Sequence, residues 1–182
     1  MLPETMAAAL RSLKSANIPF LFFGMEALNM YSTNPAETFV TSDCDFLVSP
    51  ELRKPADVIA ALRTVRWPED VEIAYKSPGG PGVLYNGRKW FSPRLDDRVT
   101  ISIYTEGHYH MDIAFGDCGI PFEQMWRRSN RATFHGVEIR LASKEDIIRS
   151  KKMAGRDKDK GALDRMIPSL RKKPLHKKRG RR

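Results

Sequence analysis

The chain has 182 residues, 41% hydrophobic and 29% charged, and its 31 Lys and Arg against 22 Asp and Glu leave a formal net charge of +9. Eight of those basic residues and no acid fall in 171–182, so the first 170 residues carry a net charge of only +1 and the basicity belongs to a tail. The length suits one domain with a sizeable core, two cysteines argue against a disulfide framework, and no apolar run approaches the ~20 residues of a membrane-spanning helix, so a cytoplasmic protein without membrane contact is expected.

Met6, Leu10 and Leu13 recur at i, i+4 and i+7 behind Pro3 and Glu4, which predicts an amphipathic helix over 4–16 with Asn17 at its end. The wholly apolar run 18–23 stops at Gly24 and reads as a strand buried on both faces, followed by a short helix over 26–32. In 39–48, Thr41, Asp43 and Asp45 share one parity while Val40, Ser42, Cys44 and Phe46 take the other. A second strand therefore carries acids on one face until Ser49-Pro50 breaks it. Val58, Ile59, Leu62 and Val65 behind Pro55 predict another helix, and 71–75 a third strand.

Residues 76–98 hold Ser77-Pro-Gly-Gly-Pro-Gly82 and Asn86-Gly87, a turn-rich stretch with one short hairpin at most, expected to be a mobile lid or plain loop. It lacks the Lys-Ser/Thr pair of a phosphate-binding loop. Val99, Ile101 and Ile103 alternate with polar residues as a strand, 109–115 gives another, and 121–130 reads as a helix. His135-Gly136 joins 132–134 to 137–141 in a hairpin with Val137, Ile139 and Leu141 inward. Ser143 and Asp146 form a capping box that opens a helix through about Ala154. Leu163, Met166, Ile167 and Leu170 mark one more helix, packed through one face, before the tail.

The chemistry concentrates in acids on strands. Side chains two apart in a strand point the same way, so Asp43 and Asp45 project together, and Asp112 from a neighbouring strand completes a set of hard oxygen donors suited to Mg²⁺ and phosphoryl transfer. A D-x-D pair by itself is more often two exposed acids of an edge strand. His108 and His110 share the parity of Asp112, and a zinc site with Cys118 can be drawn, but no second metal-spaced pair completes four ligands; His110 reads better as a contact to substrate.

Gly24-Met25-Glu26-Ala27 after a buried strand, Thr41-Ser42-Asp43-Cys44-Asp45, Met111-Asp112-Ile113, and the run from Ser143 through Asp146, Lys151, Arg156, Lys158 and Asp159 occur in an order and spacing that resembles the nucleotidyltransferase-fold superfamily. Within it, the likeness is to the minimal nucleotidyltransferases of abortive-infection (AbiEii-like) toxin type, over about 20–170. The resemblance implies an α+β polymerase-beta-like fold: a mixed sheet flanked by helices, with 1–170 as the nucleotidyltransferase-like domain, its C-terminal helical part about 143–170, and 171–182 a flexible tail.

It also implies a site. Asp43, Asp45 and Asp112 would be catalytic and hold Mg²⁺ or Mn²⁺, while Gly24, Met25, Thr41, Ser42, Lys151 and Arg156 would bind an NTP co-substrate. Thr41 and Ser42 either touch phosphate or pad the strand, Asp146 either serves the site or only caps its helix, and Lys151, Arg156 and Lys158 are phosphate ligands or a solvated basic face. The turn at Gly24 departs from the family, whose second small residue is here Met25, a side chain that narrows the approach to the helix N-terminus.

The implied function is transfer of a nucleoside monophosphate from an NTP to a hydroxyl on RNA (tRNA among them), protein or a small molecule, in a toxin or defence setting with an antitoxin partner. The alternative is an inactive nucleotidyltransferase-fold protein that binds nucleic acid or a partner. In either case the basic tail, Arg171, Lys172, Lys173, Lys177, Lys178, Arg179, Arg181 and Arg182, has the charge to hold a polyanion in a salt-dependent way, or to serve as a solubilising end.

Overall fold

The computed structural model describes residues 3–32, 38, 41, 43–95, 98–105, 110–116, 118–155 and 163. Helix α1 (Pro3–Ser15) buries Met6, Leu10 and Leu13, the three residues of its apolar stripe. Asn17, at φ +52, turns the chain, and the Ile18 N–H donates back to the Leu13 carbonyl. The chain then enters β1 (Phe20–Phe23), every residue of which is buried. Helix α2 (Gly24–Asn29) follows without a break, starting two residues before the sequence predicts and ending three earlier.

Strand β2 (Asp43–Val48) and α3 (Pro55–Leu62) come next, the latter opened by Pro55 and by the Asp57 carboxylate, which accepts the Lys54 N–H at 2.8 Å. Strands β3 (Val71–Ser77), β4 (Gly80–Asn86), β5 (Thr100–Thr105) and β6 (His110–Phe115) precede α4 (Phe122–Arg128), the hairpin β7 (Asn130–Phe134) and β8 (Val137–Leu141), and α5 (Lys144–Ala154). The hairpin turns through His135 at φ +46 and Gly136 at φ +71, the left-handed pair that a two-residue turn matching strand twist requires.

All eight strands form one mixed sheet in the order β4-β3-β5-β6-β2-β1-β8-β7. The pairs β2–β6 and β1–β8 are parallel; the other five are antiparallel. One face is apolar throughout: Phe22 stacks on Phe46 at 4.8 Å between ring centroids and meets Phe134 at 4.5 Å, and with Ile73, Ile101, Ile103, Met111 and Ile113 they join α1 and Val58 and Leu62 of α3 in one cluster. Each such side chain is worth about 1.5–3 kcal/mol on leaving water, so this face dominates the stability. Helix α2 packs against β1 and β2, and on the face opposite the core, residues of α5 share a cleft with Asp45 of β2 and Ala114 of β6.

Residues 80–86 form the return strand of a hairpin, which the turn-rich stretch allowed, and correct the lid-or-loop expectation at 80–82. They pair with β3 from Glu72↔Asn86 to Ser77↔Gly80, and Tyr85 bridges to Trp90 with ring centroids 5.1 Å apart. Pro81 and the glycines are tolerated because β4 is an edge strand, where a missing N–H leaves no ladder bond unmade, and because the Tyr75 ring fills the space over Gly82. Both cysteines are free, Cys44 buried and Cys118 half-buried. Among the described residues no helix is long and apolar enough to cross a membrane. Leu163 is buried, but the remainder of the helix expected at 163–170, and the tail, lie outside the described residues.

Candidate active site

Parallel pairing of β2 with β6 sets Asp43 beside His110 and Asp45 beside Asp112, all four on the face opposite the core. The alternation read from the sequence is therefore realised, and two strands bring the three acids together. The His110 ring stands between two of them, Nδ1 3.4 Å from Asp43 Oδ1 and Nε2 3.5 Å from Asp112 Oδ2. From β5, the register partner Ser102 donates its hydroxyl to Asp112 Oδ1 at 2.6 Å, fixing that carboxylate and leaving its other oxygen toward the histidine.

Asp45 is the most enclosed of the three. Burial, then the negative charges of Asp112 and Asp43, push its carboxyl from 3.8 to about 6, against the opposing pull of Lys151 and His110. Its neighbour on β1 is the Phe23–Gly24 turn, where Gly24 at φ +81 presents a bare Cα to the carboxylate. Lys151, buried on α5, shares a cleft of about 490 Å³ with Gly24, Asp45 and Ser150. An anion held there meets an ammonium and a glycine turn; a cation meets the Asp45 carboxylate.

Whether these residues fit a divalent ion is decided by their donors. A buried carboxylate whose proton affinity is raised further by two acidic neighbours favours a cation, and two or three oxygens are what Mg²⁺ takes from a protein when phosphates and water complete its shell. Among the described residues no three His, Cys, Asp or Glu side chains form a ready-made cage, so nucleotide oxygens would have to complete one.

The other expected residues divide. Met25, partly buried, packs against the core and is not among the residues that line the cleft. The Thr41 hydroxyl accepts the Asp43 N–H at 3.2 Å, an observation that favours padding the entry of β2. Asp146 lies away from the acids: Arg128 donates to both its oxygens at 3.0 and 2.7 Å, and Ser143 Oγ donates at 2.7 Å while accepting the Asp146 N–H. Its carboxylate turns to the hydroxyl and the guanidinium, anchoring the first turn of α5. Ser42, His108, Arg156 and Lys158 lie outside the described residues.

Ser102 and Ser150 escaped the sequence reading. The buried parity of Ile101 and Ile103 puts Ser102 on the face of Asp112, a signal the alternation already carried. Ser150, whose hydroxyl donates to the Cys118 carbonyl at 2.7 Å and pins α5 over the cleft, has no such signal.

No protein-family profile matches the sequence, and no curated protein matches it. Among solved structures the chain is similar to ANT(2")-Ia in complex with adenylyl-2"-tobramycin, at 14% identity over 92% of this chain and 88% of that chain, with a TM-score of 0.50. An antigenic nucleotidyltransferase-like protein from Paracoccidioides brasiliensis matches at 16% identity, 90% and 73% coverage and a TM-score of 0.48, and the Megavirus polyadenylate synthase at 14%, 89% and 30%, and 0.43. With its mixed eight-stranded sheet flanked by helices, the chain has a nucleotidyltransferase fold.

Proposed function

We propose that the chain is a metal-dependent nucleotidyltransferase that moves a nucleoside monophosphate from an NTP to a hydroxyl acceptor. The observation that carries the reading is the single cleft in which Gly24, Asp45 and Lys151 meet, with Asp112 beside Asp45 on the next strand. Asp43, Asp45 and Asp112 would hold Mg²⁺ or Mn²⁺, and the bound ion would supply positive charge against the triphosphate. Lys151 pairs with phosphate oxygens, and the Gly24 turn lets the backbone approach them. The acceptor oxygen attacks the α-phosphorus as the bond to pyrophosphate breaks, and the hydroxyl proton passes to Asp112, whose Oδ1 is already held by Ser102.

RNA, protein and small-molecule acceptors, and a toxin role with an antitoxin partner, remain within this proposal through the sequence resemblance; a small-molecule acceptor is supported by the adenylylated product named for the ANT(2")-Ia structure. The basic tail supports the RNA member of that set. The test is calorimetric titration of Mg·NTP into wild type and Asp45→Asn. Binding that needs Mg²⁺ and is lost in the variant sustains the reading. Binding indifferent to both metal and Asp45 would favour an inactive binding protein.

A further inference from the structure

Charge is uneven along the body of the chain as well as at its tail. Residues 1–117 hold eleven Lys or Arg against fifteen Asp or Glu, whereas 118–155 hold eight against four, so the part that carries α4, β7, β8 and α5 is already basic. Within it, Arg131 of β7 and Arg140 of β8 are direct register partners. A row of partners, Leu47, Leu21, Arg140 and Arg131, crosses the sheet from β2 to β7, so both arginines lie on the face that carries Asp45, two and three strands away from it.

Like charges directly opposite one another destabilise a strand pair. Little offsets that repulsion here. Arg131 meets Glu138 at 3.8 Å, but with side chains 73% and 61% exposed the pair is screened by solvent. The Arg140 guanidinium stands 5.1 Å over the Trp126 ring, which stacks on Phe122 at 5.7 Å, so its charge is braced but not neutralised. Arg127, exposed and next to Trp126 in α4, is a third cation. Among the described residues neither Arg127 nor Arg140 has an ion-pair partner, whereas Arg128 is committed to Asp146.

We propose that Arg127, Arg131 and Arg140 form a docking surface for the backbone of a single-stranded nucleic acid, separate from the acid cleft. All three cations are guanidiniums, planar forks that match phosphate oxygens two at a time, where a point-like ammonium would not. A polynucleotide repeats its charge along its length, so one strand can meet both this surface and the eight cations of 171–182. Phosphate placed between Arg131 and Arg140 turns their repulsion into attraction. Binding here needs neither metal nor NTP, so the surface stands whatever the acid cleft does.

The experiment is fluorescence anisotropy of a labelled oligouridine with the full-length chain, with Arg127→Gln/Arg131→Gln/Arg140→Gln, and with Arg66→Gln/Lys76→Gln/Arg88→Gln, which removes the same charge from exposed positions in the acidic half. The first variant is expected to bind at least about 10-fold more weakly at about 0.1 M salt, with the slope of log affinity against log salt reduced by about 2. The second should stay within about 3-fold of wild type. Arg131→Gln alone should melt no lower than wild type, which separates lost binding from lost folding. Equal losses in the two triple variants would make the effect one of net charge and overturn the surface, as would RNA binding that is absent from wild type or unchanged in the first variant. Polyglutamate bound as tightly as the RNA, with the same dependence on the three arginines, would assign the surface to an acidic protein instead and overturn the nucleic-acid partner. The Mg·NTP titration decides the nucleotidyltransferase reading separately.

Discussion

Gly24 and Asp45 approach so closely across the β1–β2 pair that a Cβ on the glycine would fall within the aspartate carboxylate. The glycine also sits at φ +81, in the left-handed region that other residues enter at a cost of about 1–2 kcal/mol. Two independent constraints thus coincide at the point where backbone and acid meet.

Gly24→Ala is therefore expected to lower stability by more than backbone strain alone and to abolish Mg·NTP binding by displacing Asp45. Gly136→Ala is the control, since Gly136 has a similar φ of +71 but nothing within 4 Å of its Cβ position. It should cost about 1–2 kcal/mol in thermal denaturation and leave calorimetric NTP affinity unchanged. Equal binding defects in both variants would show that Gly24 matters only through strain.

Asp45 makes stability depend on pH. Its carboxyl is raised from 3.8 to about 6, so the folded chain holds a proton there that the unfolded chain releases, and folding loses stability as pH rises from about 4 to 6. The full penalty, about 3 kcal/mol, stands above pH 6. In a chelator, Asp45→Asn is expected to melt well above wild type at pH 7.5 and close to it at pH 4. An offset that does not change with pH would refute a raised Asp45 carboxyl.

Arg128 and Asp146 behave oppositely. Burial by itself raises the Asp146 carboxyl, but the hydrogen bonds from Arg128 and Ser143 and the charges of Arg128 and Arg149 outweigh it and hold the group below the ordinary range. The stabilisation is present above the unfolded pKa of 3.8 and is lost as pH falls through the lowered folded value. Arg128→Ala should lower the melting temperature at pH 7, with a smaller difference from wild type in strong acid. Arg128→Lys should recover only part, because an ammonium cannot donate two parallel bonds. Circular dichroism melts at both pH values check this.

The tail gives a salt prediction. Deleting 171–182 removes eight cationic side chains, so a single-stranded RNA probe followed by fluorescence anisotropy should bind more weakly, with the slope of log affinity against log salt reduced by up to about 6. An unchanged slope would make the tail a solubilising end.

Much of this protein is legible in one dimension. The period of Met6, Leu10 and Leu13, the apolar run ending at Gly24, and the alternation around Asp43, Asp45 and Asp112 determine which residues face a core and which face a site, because side-chain direction follows from backbone period. Gly and Pro in 80–86 concealed an edge strand, because the same residues that break a central strand are harmless where one side of the ladder is unpaired. The tertiary structure alone decided that Asp45 pairs with Asp112, that Met25 turns to the core, and that Asp146 belongs to Arg128. It also decided that α5 lies against the acids with Lys151 and Met153 lining one cleft. Each is a relation between segments far apart in the chain, and the register and packing that create such relations leave no periodic trace in either segment.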